Sequence, residues 1–346
     1  MMYKNIKNFD CRDAINRVST EYIHKYKSLS CGIFLLSFLV FISTGIYASD
    51  STGTSYFQYL KMDVGARTLA MGGAFTGVAD DISAMRYNPA GLRMLLKPEL
   101  SATHMEWIDS LRVESLSFGR PYGLDKAIGC SVFYMTSGDD IMGRDNSGNP
   151  THILKYEQMY ATFGWATRLD RYDNYLFGVN LKYAKEVLDY SVNSVMAFDT
   201  GFLCKLYRDW NLGICARNIG FGTKEELPLE TRIGLSYLKR NLGLSFDAYK
   251  FSDTDVRYAT GLEYFIKEVF VLRAGYNSSI SNLGQLTEDE NLYSISKYSA
   301  SGISLGFGIL TKPLSFLGGY AIKCDYAIVD YGRLGFNHIF TFSTEF

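Results

Sequence analysis

The pentapeptide Gly302-Ile303-Ser304-Leu305-Gly306 has the spacing of a serine nucleophile elbow. That chemistry needs the serine on a sharp turn between a strand and a helix. Here the apolar alternation of a strand runs straight through the motif, so the spacing reads as coincidence. His24, His104, His152 and His338 are scattered, with no metal-ligand spacing. Cys130, Cys204, Cys215 and Cys324 lie in strand-like segments without a CxxC pair and read as small buried hydrophobes. Whether any two of them form a disulfide is not fixed by sequence. Gly72-Gly73 lacks the Gly-Lys-Ser/Thr of a phosphate loop. Gly138-Asp139-Asp140 with Asp145-Asn146 is an incomplete calcium loop. The expectation is a protein without enzymatic activity, cofactor or resident metal.

A second set of polar residues has a more telling pattern. Arg232, Asp247, Arg257, Glu263, Arg273, Lys323 and Asp325 occupy alternate positions of segments whose other positions are largely apolar or aromatic. Around Lys323 and Asp325 the opposite face carries Tyr320, Ile322, Cys324, Tyr326 and Ile328. Asn180 with Lys182, and Asp199 with Lys205, alternate in the same way. Period two is the signature of a strand with one face in an apolar medium. A charge turned toward lipid costs a few kcal/mol at mid-membrane, so these residues are candidates to line an interior. A soluble two-sheet sandwich would share the alternation but place the charges in solvent.

The surrounding sequence favours the membrane reading. Of 346 residues, 26 are Tyr, 23 Phe and 32 Gly. The apolar run Ile33 to Ile46 follows Lys25 and Lys27 and ends at Tyr47-Ala48, the order of a signal peptide over residues 1–48. The leader is basic, and the formal net charge of the whole chain is -1, which gives no case for nucleic-acid binding. From residue 99 to 346 about fourteen strand-like segments follow, from Leu100–Trp107 to His338–Phe346. An even number of antiparallel strands puts both ends on one side, expected to be the periplasm. Short turns such as Tyr122-Gly123-Leu124-Asp125 and Lys239-Arg240-Asn241 then fall on that side. The long loops Thr136–Lys155 and Asn277–Tyr298 fall on the other. The final strand sets Phe340, Phe342 and Phe346 on one face against Thr341, Ser343 and Glu345, and the chain ends on Phe.

Residues 49–98 join leader and barrel, and they carry a distinctive block. It reads Gly65-Ala66-Arg67-Thr68-Leu69-Ala70-Met71-Gly72-Gly73-Ala74-Phe75, then Ala79-Asp80-Asp81, then Tyr87-Asn88-Pro89-Ala90-Gly91-Leu92. This resembles the N-terminal signature of the PorV/PorQ outer-membrane proteins, distantly similar to FadL, the long-chain fatty-acid transporter. The segments Ala216-Arg217-Asn218-Ile219-Gly220, Gly261-Leu262-Glu263-Tyr264 and Leu272-Arg273-Ala274-Gly275-Tyr276 extend the resemblance. It implies an all-β, 14-stranded transmembrane barrel with residues 49–98 as a hatch in the lumen. The glycines would let hatch backbone pack closely on the wall. Asp80 or Asp81 would cap a short helix through Met85, Asn88-Pro89 would turn the chain out of it, and Gly91 would allow reversal into the first strand. Arg67 would pair with an inward carboxylate such as Asp247, Glu263 or Asp325.

Two functions fit this expectation: a FadL-like conduit for hydrophobic small molecules, and a type IX secretion component that engages the C-terminal domains of exported proteins. A simple diffusion porin comes third, because a hatch obstructs a water-filled channel. The partners expected are outer-membrane lipid and the barrel-assembly machinery, with hydrophobic small molecules or secreted proteins as what the barrel handles. On this reading, deleting Phe346 slows membrane insertion, and Phe340→Asp or Phe342→Asp raises its cost by a few kcal/mol. Outer-membrane yield after pulse labelling measures both, and unchanged yields would defeat the barrel reading.

Overall fold

The computed structural model describes residues 55–107, 111–137, 142–144, 147–206, 209–220, 227–281, 302–311 and 320–346. The leader expected over residues 1–48 and the weighed calcium-loop aspartates lie outside them.

Sixteen strands are present among these residues: β1 Glu99–Glu106, β2 Arg112–Tyr122, β3 Lys126–Thr136, β4 Met142–Arg144, β5 Pro150–Ile153, β6 Tyr156–Arg168, β7 Tyr175–Leu188, β8 Ser191–Lys205, β9 Trp210–Gly220, β10 Glu230–Lys239, β11 Leu242–Phe251, β12 Arg257–Ile266, β13 Phe270–Asn277, β14 Ile303–Leu310, β15 Ala321–Asp330 and β16 Phe336–Glu345. Fourteen form a closed antiparallel barrel in which β1 pairs with β16, from Glu99↔Glu345 to Glu106↔His338. Closure satisfies each strand's backbone groups without leaving an edge, which is what a lipid environment demands. The other two, β4 and β5, form a separate hairpin within the Thr136–Lys155 connection, where the sequence pattern indicated only a loop.

Alternation sets the two faces. In β12, Tyr258, Leu262 and Tyr264 are exposed on the outer face, whereas Ala259, Gly261 and Glu263 are buried inside. In β16, Phe340 and Phe342 face outward, while Asn337, Ile339 and Ser343 are buried. The outer wall elsewhere exposes Phe163, Leu181, Phe246, Leu272 and Phe307. An apolar exterior around an interior that holds the wall's buried charges inverts the usual soluble arrangement and matches a membrane barrel.

Residues 55–98 fill the interior. The helix Ala66–Ala70 begins after Gly65 and ends before Gly72 and Gly73, both left-handed at φ 65° and 80°. A five-residue helix has no stability of its own, so its wall contacts hold it. The Ala66 amide donates to Thr341 Oγ1 (2.9 Å), and Gly72 N donates to Ser304 Oγ (3.2 Å). Ser304 Oγ in turn donates to Ala70 O. The serine of the elbow-like motif is therefore a buried docking residue near the start of a strand.

The wall makes room for this plug by giving up side chains. Inward positions of paired strands are glycines, with Gly119 opposite Gly129, Gly178 opposite Gly201, and Gly213 opposite Gly234. Hatch backbone occupies the space their side chains would need: the Thr76 carbonyl lies against Gly213, and Pro89-Ala90 against Gly178.

Two local expectations need correction. The helix after the aspartates covers only Ala84–Tyr87, and its N-cap Ser83 makes no side-chain cap. Asp81 accepts from Ser83 N (2.8 Å) through Oδ1, a turn before the helix rather than a cap on it, and gives its other oxygen to Arg67. Gly91 is not at the reversal. It sits inside the 3-10 turn Pro89–Met94, pressed against the Ala79 carbonyl, so it serves close approach. Asn88 does cap that turn, accepting from Ala90 N (3.2 Å).

Gly178→Ala should therefore unseat the hatch, because its Cβ would meet backbone. Gly243→Ala in β11 should be silent, because its nearest neighbours stand at 3.5 Å or more. Overpacking of this kind costs about 1–3 kcal/mol. Limited proteolysis of residues 66–94, with barrel integrity followed by heat-modifiable mobility, reads the difference; equal protection of both variants would refute close packing.

Candidate functional site

Charge clusters tie the hatch to the wall. Arg67, on the helix Ala66–Ala70, donates Nε and Nη2 to the two oxygens of Glu263 on β12 (3.0 and 2.9 Å). Its Nη1 donates to Asp80 and Asp81, both at 2.7 Å. Of the carboxylates considered from sequence, Glu263 is the one in direct contact. Asp325 joins through Arg273, which donates to Glu263 (2.6 Å) and to Asp325 (2.6 Å). The chain of charges thus runs from hatch to β12, β13 and β15. The Arg67 guanidinium also lies 5.1 Å from the Phe75 ring centre. Lys323 sits at the end of the barrel nearest the chain terminus, paired with Glu345 (2.5 Å) and Glu99 (3.4 Å). There it lines a vestibule of about 190 Å3 with Asp80, Asp81 and Arg273.

A second cluster centres on Arg232, whose side chain is almost wholly buried. It donates to Gly73 O (2.7 Å) and Glu230 (2.8 Å), approaches Asp247 (3.5 Å) and Asp63 (3.7 Å), and stacks 4.1 Å over Tyr249. Asp247 Oδ2 accepts from the amides of Phe75 (3.1 Å) and Thr76 (3.0 Å) and from the Thr76 hydroxyl (2.6 Å). Glu230 also pairs with the buried Arg217. Asn88 Nδ2 donates to Thr76 O (3.0 Å) and Phe202 O (3.1 Å), and Asn277 Nδ2 to Gly72 O (2.8 Å). Met71 is buried against Phe75 and Tyr87. Arg232, Asp247, Glu263, Arg273 and Asp325 point inward but are consumed in docking.

At the opposite end of the barrel a cup of about 480 Å3 remains, with Tyr59, Asp63 and Leu69 of the hatch in its lining. Its walls include Trp107, Tyr156, Tyr249, Phe251 and Tyr331, with Trp107 and Tyr331 edge to face at 4.7 Å. Arg257 reaches this cup and has no ion pair among the described residues. Lys61 beside it pairs with Asp253 (2.6 Å). Burial would raise the Asp253 carboxyl, but hydrogen bonds from Lys61 and Ser55 outweigh it and bring the group down to about 2. Desolvation lowers Lys61.

Sequence reasoning missed Asp63, Arg86, Glu230 and the aromatic cup. Asp63 lies in irregular hatch backbone and Arg86 in a four-residue helix, both too short for a period to read. The cup collects single residues from the ends of several strands, which only closure brings together.

Arg67→Ala should loosen the hatch without unfolding the barrel. Asp80 and Asp81 would lose their partner while Arg273 still holds Glu263; removing one partner of a buried pair costs about 3–5 kcal/mol. Planar-bilayer recording should show larger or more frequent openings than the wild type. Porin-like conductance in the wild type, unaltered by the substitution, would overturn the docking role.

The family model described as Uncharacterised protein family (UPF0164) matches residues 42–144. No curated protein matches this chain. Among solved structures, the toluene transporter TbuX of Ralstonia pickettii is similar at TM-score 0.54 and 13% identity, covering 82% of this chain and 98% of its own. A FadL homologue of Pseudomonas aeruginosa is similar at TM-score 0.50 and 12% identity, covering 86% and 98%. A variant of the monoaromatic hydrocarbon channel TodX is similar at TM-score 0.52 and 14% identity, covering 82% and 99%. The closed fourteen-stranded barrel described here therefore has the fold of the FadL-type outer-membrane channels.

Proposed function

We propose that this protein is a non-enzymatic conduit of the bacterial outer membrane for small hydrophobic compounds. The observation that carries the reading is the aromatic cup seated directly on the hatch. Concave, mostly apolar sites with a few placed polar groups suit small ligands. A compound held against Trp107, Tyr156 and Tyr331 would rest above Tyr59 and Leu69, and displacement of that part of the hatch would admit it. The cup faces the cell exterior on this reading, because it lies opposite the chain terminus. The named activities of TbuX and TodX, toluene transport and a monoaromatic hydrocarbon channel, are consistent with it. A plain diffusion porin fits less well, since the hatch fills the middle of the barrel.

The test is binding of the fluorescent probe 1-aminoanthracene to purified protein in detergent. Trp107→Ala with Tyr331→Ala should weaken binding about tenfold, equivalent to roughly 1.4 kcal/mol, while leaving the heat-modifiable fold intact. Equal binding by variant and wild type would sink the cup as the site. The resemblance to PorV/PorQ proteins implies the competing outcome: no probe binding, and exported proteins retained on the purified barrel through their C-terminal domains.

A further inference from the structure

Toward the end that carries the chain terminus, the outer face of β2 and β3 changes from apolar side chains to cations. On β2 the outward order is Leu116, Phe118, Arg120 and Tyr122. On β3 it runs from Val132 and Cys130 to Ile128 and Lys126. Ile128 pairs with Arg120 on one side and with Trp165 of β6 on the other, while Lys126 pairs with Tyr122. Arg120 and Lys126 are thus diagonal neighbours on one face, about 7 Å apart by strand geometry. Beneath them Phe118 stacks on the terminal Phe346 at 6.3 Å.

These cations lack counter-ions. Arg120 and Lys126 are exposed and make no ion pair among the described residues, the terminal carboxylate included. The same holds for Lys97, two residues before Glu99, which pairs with Gly119 beside Arg120. The carboxylates of this corner are engaged elsewhere. Asp125 pairs with Arg168, and Asp173 with Arg93 (3.0 Å). Asp170 accepts the amides of Asn174 (2.8 Å) and Tyr175 (3.1 Å) within its own turn. Glu99 is buried and faces Lys323. Leu96 and Leu124 stand beside the cations at 89% and 85% exposure. Exposed leucines among unpaired cations, at the edge of an apolar wall, suit the layer where lipid headgroups meet chains.

We infer that Arg120 and Lys126 bind the phosphodiester of an acidic phospholipid whose chains lie along Phe118, Ile128 and Trp165. Lipid covers this face of a membrane barrel in any case, so the question is which headgroup the face selects. A phosphodiester offers oxygens to two cations at this spacing, and a guanidinium holds it by charge-assisted hydrogen bonds. Choline or ethanolamine would bring an ammonium beside Lys126 with no free carboxylate to receive it. A glycerol headgroup brings hydroxyls alone and keeps the net negative charge. Lys97 adds to the attraction, which grows with each cation near the surface. On the orientation given above, the site lies in the periplasmic leaflet. It is separate from the cup and does not rest on the proposed passage. A lipid held there would brace the first strands beside the β1–β16 seam that closes the barrel.

The experiment is native mass spectrometry of the full-length barrel, released from micelles that hold equal amounts of phosphatidylglycerol and phosphatidylcholine with matched chains. The wild type should retain phosphatidylglycerol roughly tenfold over phosphatidylcholine, the scale that two surface cations supply. Arg120→Gln with Lys126→Gln should cut the preference to about twofold or less. Its heat-modifiable mobility should stay that of the wild type, because both side chains are exposed. Lys239→Gln with Lys267→Gln removes the same charge from the β10–β11 and β12–β13 turns and should keep the wild-type preference. A wild type that retains the two lipids equally would overturn the inference. Equal losses in the two double variants would overturn it as well, since the attraction would then belong to the whole rim. So would displacement of the lipid by inorganic phosphate at matched concentration, which would make the pair an ion site rather than a lipid site.

Discussion

The architecture depends on close backbone contact between hatch and wall. A closed barrel of this size has a finite interior, and side chains from both sides compete for it. Here the wall yields: glycine at inward positions lets the hatch backbone lie against the strands, so carbonyls and amides reach wall groups directly. Thr76 shows the result, its carbonyl beside Gly213 and its amide on Asp247. Every other interior feature follows from where that backbone is held.

Once the backbone is close, charge decides register. Arg67 on Glu263 and Arg232 on Gly73 O fix the hatch at separate points. Buried ion pairs of this sort add little net stability over an apolar core, because desolvation consumes most of the Coulomb gain. They penalise misplacement heavily, since any slip strands a charge. Apolar packing adds to these ties: Phe57, Leu60, Val64 and Leu69 of the hatch share one buried cluster with Met105, Phe133 and Tyr160 of the wall.

The interior is divided by chemistry along the barrel. Aromatic rings gather at one mouth, paired charges fill the middle, and hydroxyls line a small chamber beside β1, β2, β3 and β6. An apolar solute entering at the aromatic mouth would meet the charged layer as a barrier. Passage would therefore require that part of the hatch leave its place, and Tyr59 and Leu69 are among the hatch residues that line the cup. Tyr59 is tied there by its hydroxyl, which donates to the carbonyls of Met159 (3.0 Å) and Lys185 (2.9 Å).

The sequence by itself determined the barrel strands and their faces. These are local: a period of two reports which medium each face meets, and a charge such as Arg273 or Asp325 can only point inward when its neighbours Leu272 and Tyr326 face lipid. The inward direction of Arg67's partners was legible for the same reason, but the choice of Glu263 over Asp247 was not. That choice depends on the shear of the closed sheet, which sets how high each inward carboxylate stands relative to the hatch. The β4–β5 hairpin, the uncapped start of the helix Ala84–Tyr87 and the place of Gly91 were decided by tertiary structure. So were the cup and the hydroxyl chamber. Each is built from residues distant in sequence, and closure of the barrel is the physical event that makes them neighbours.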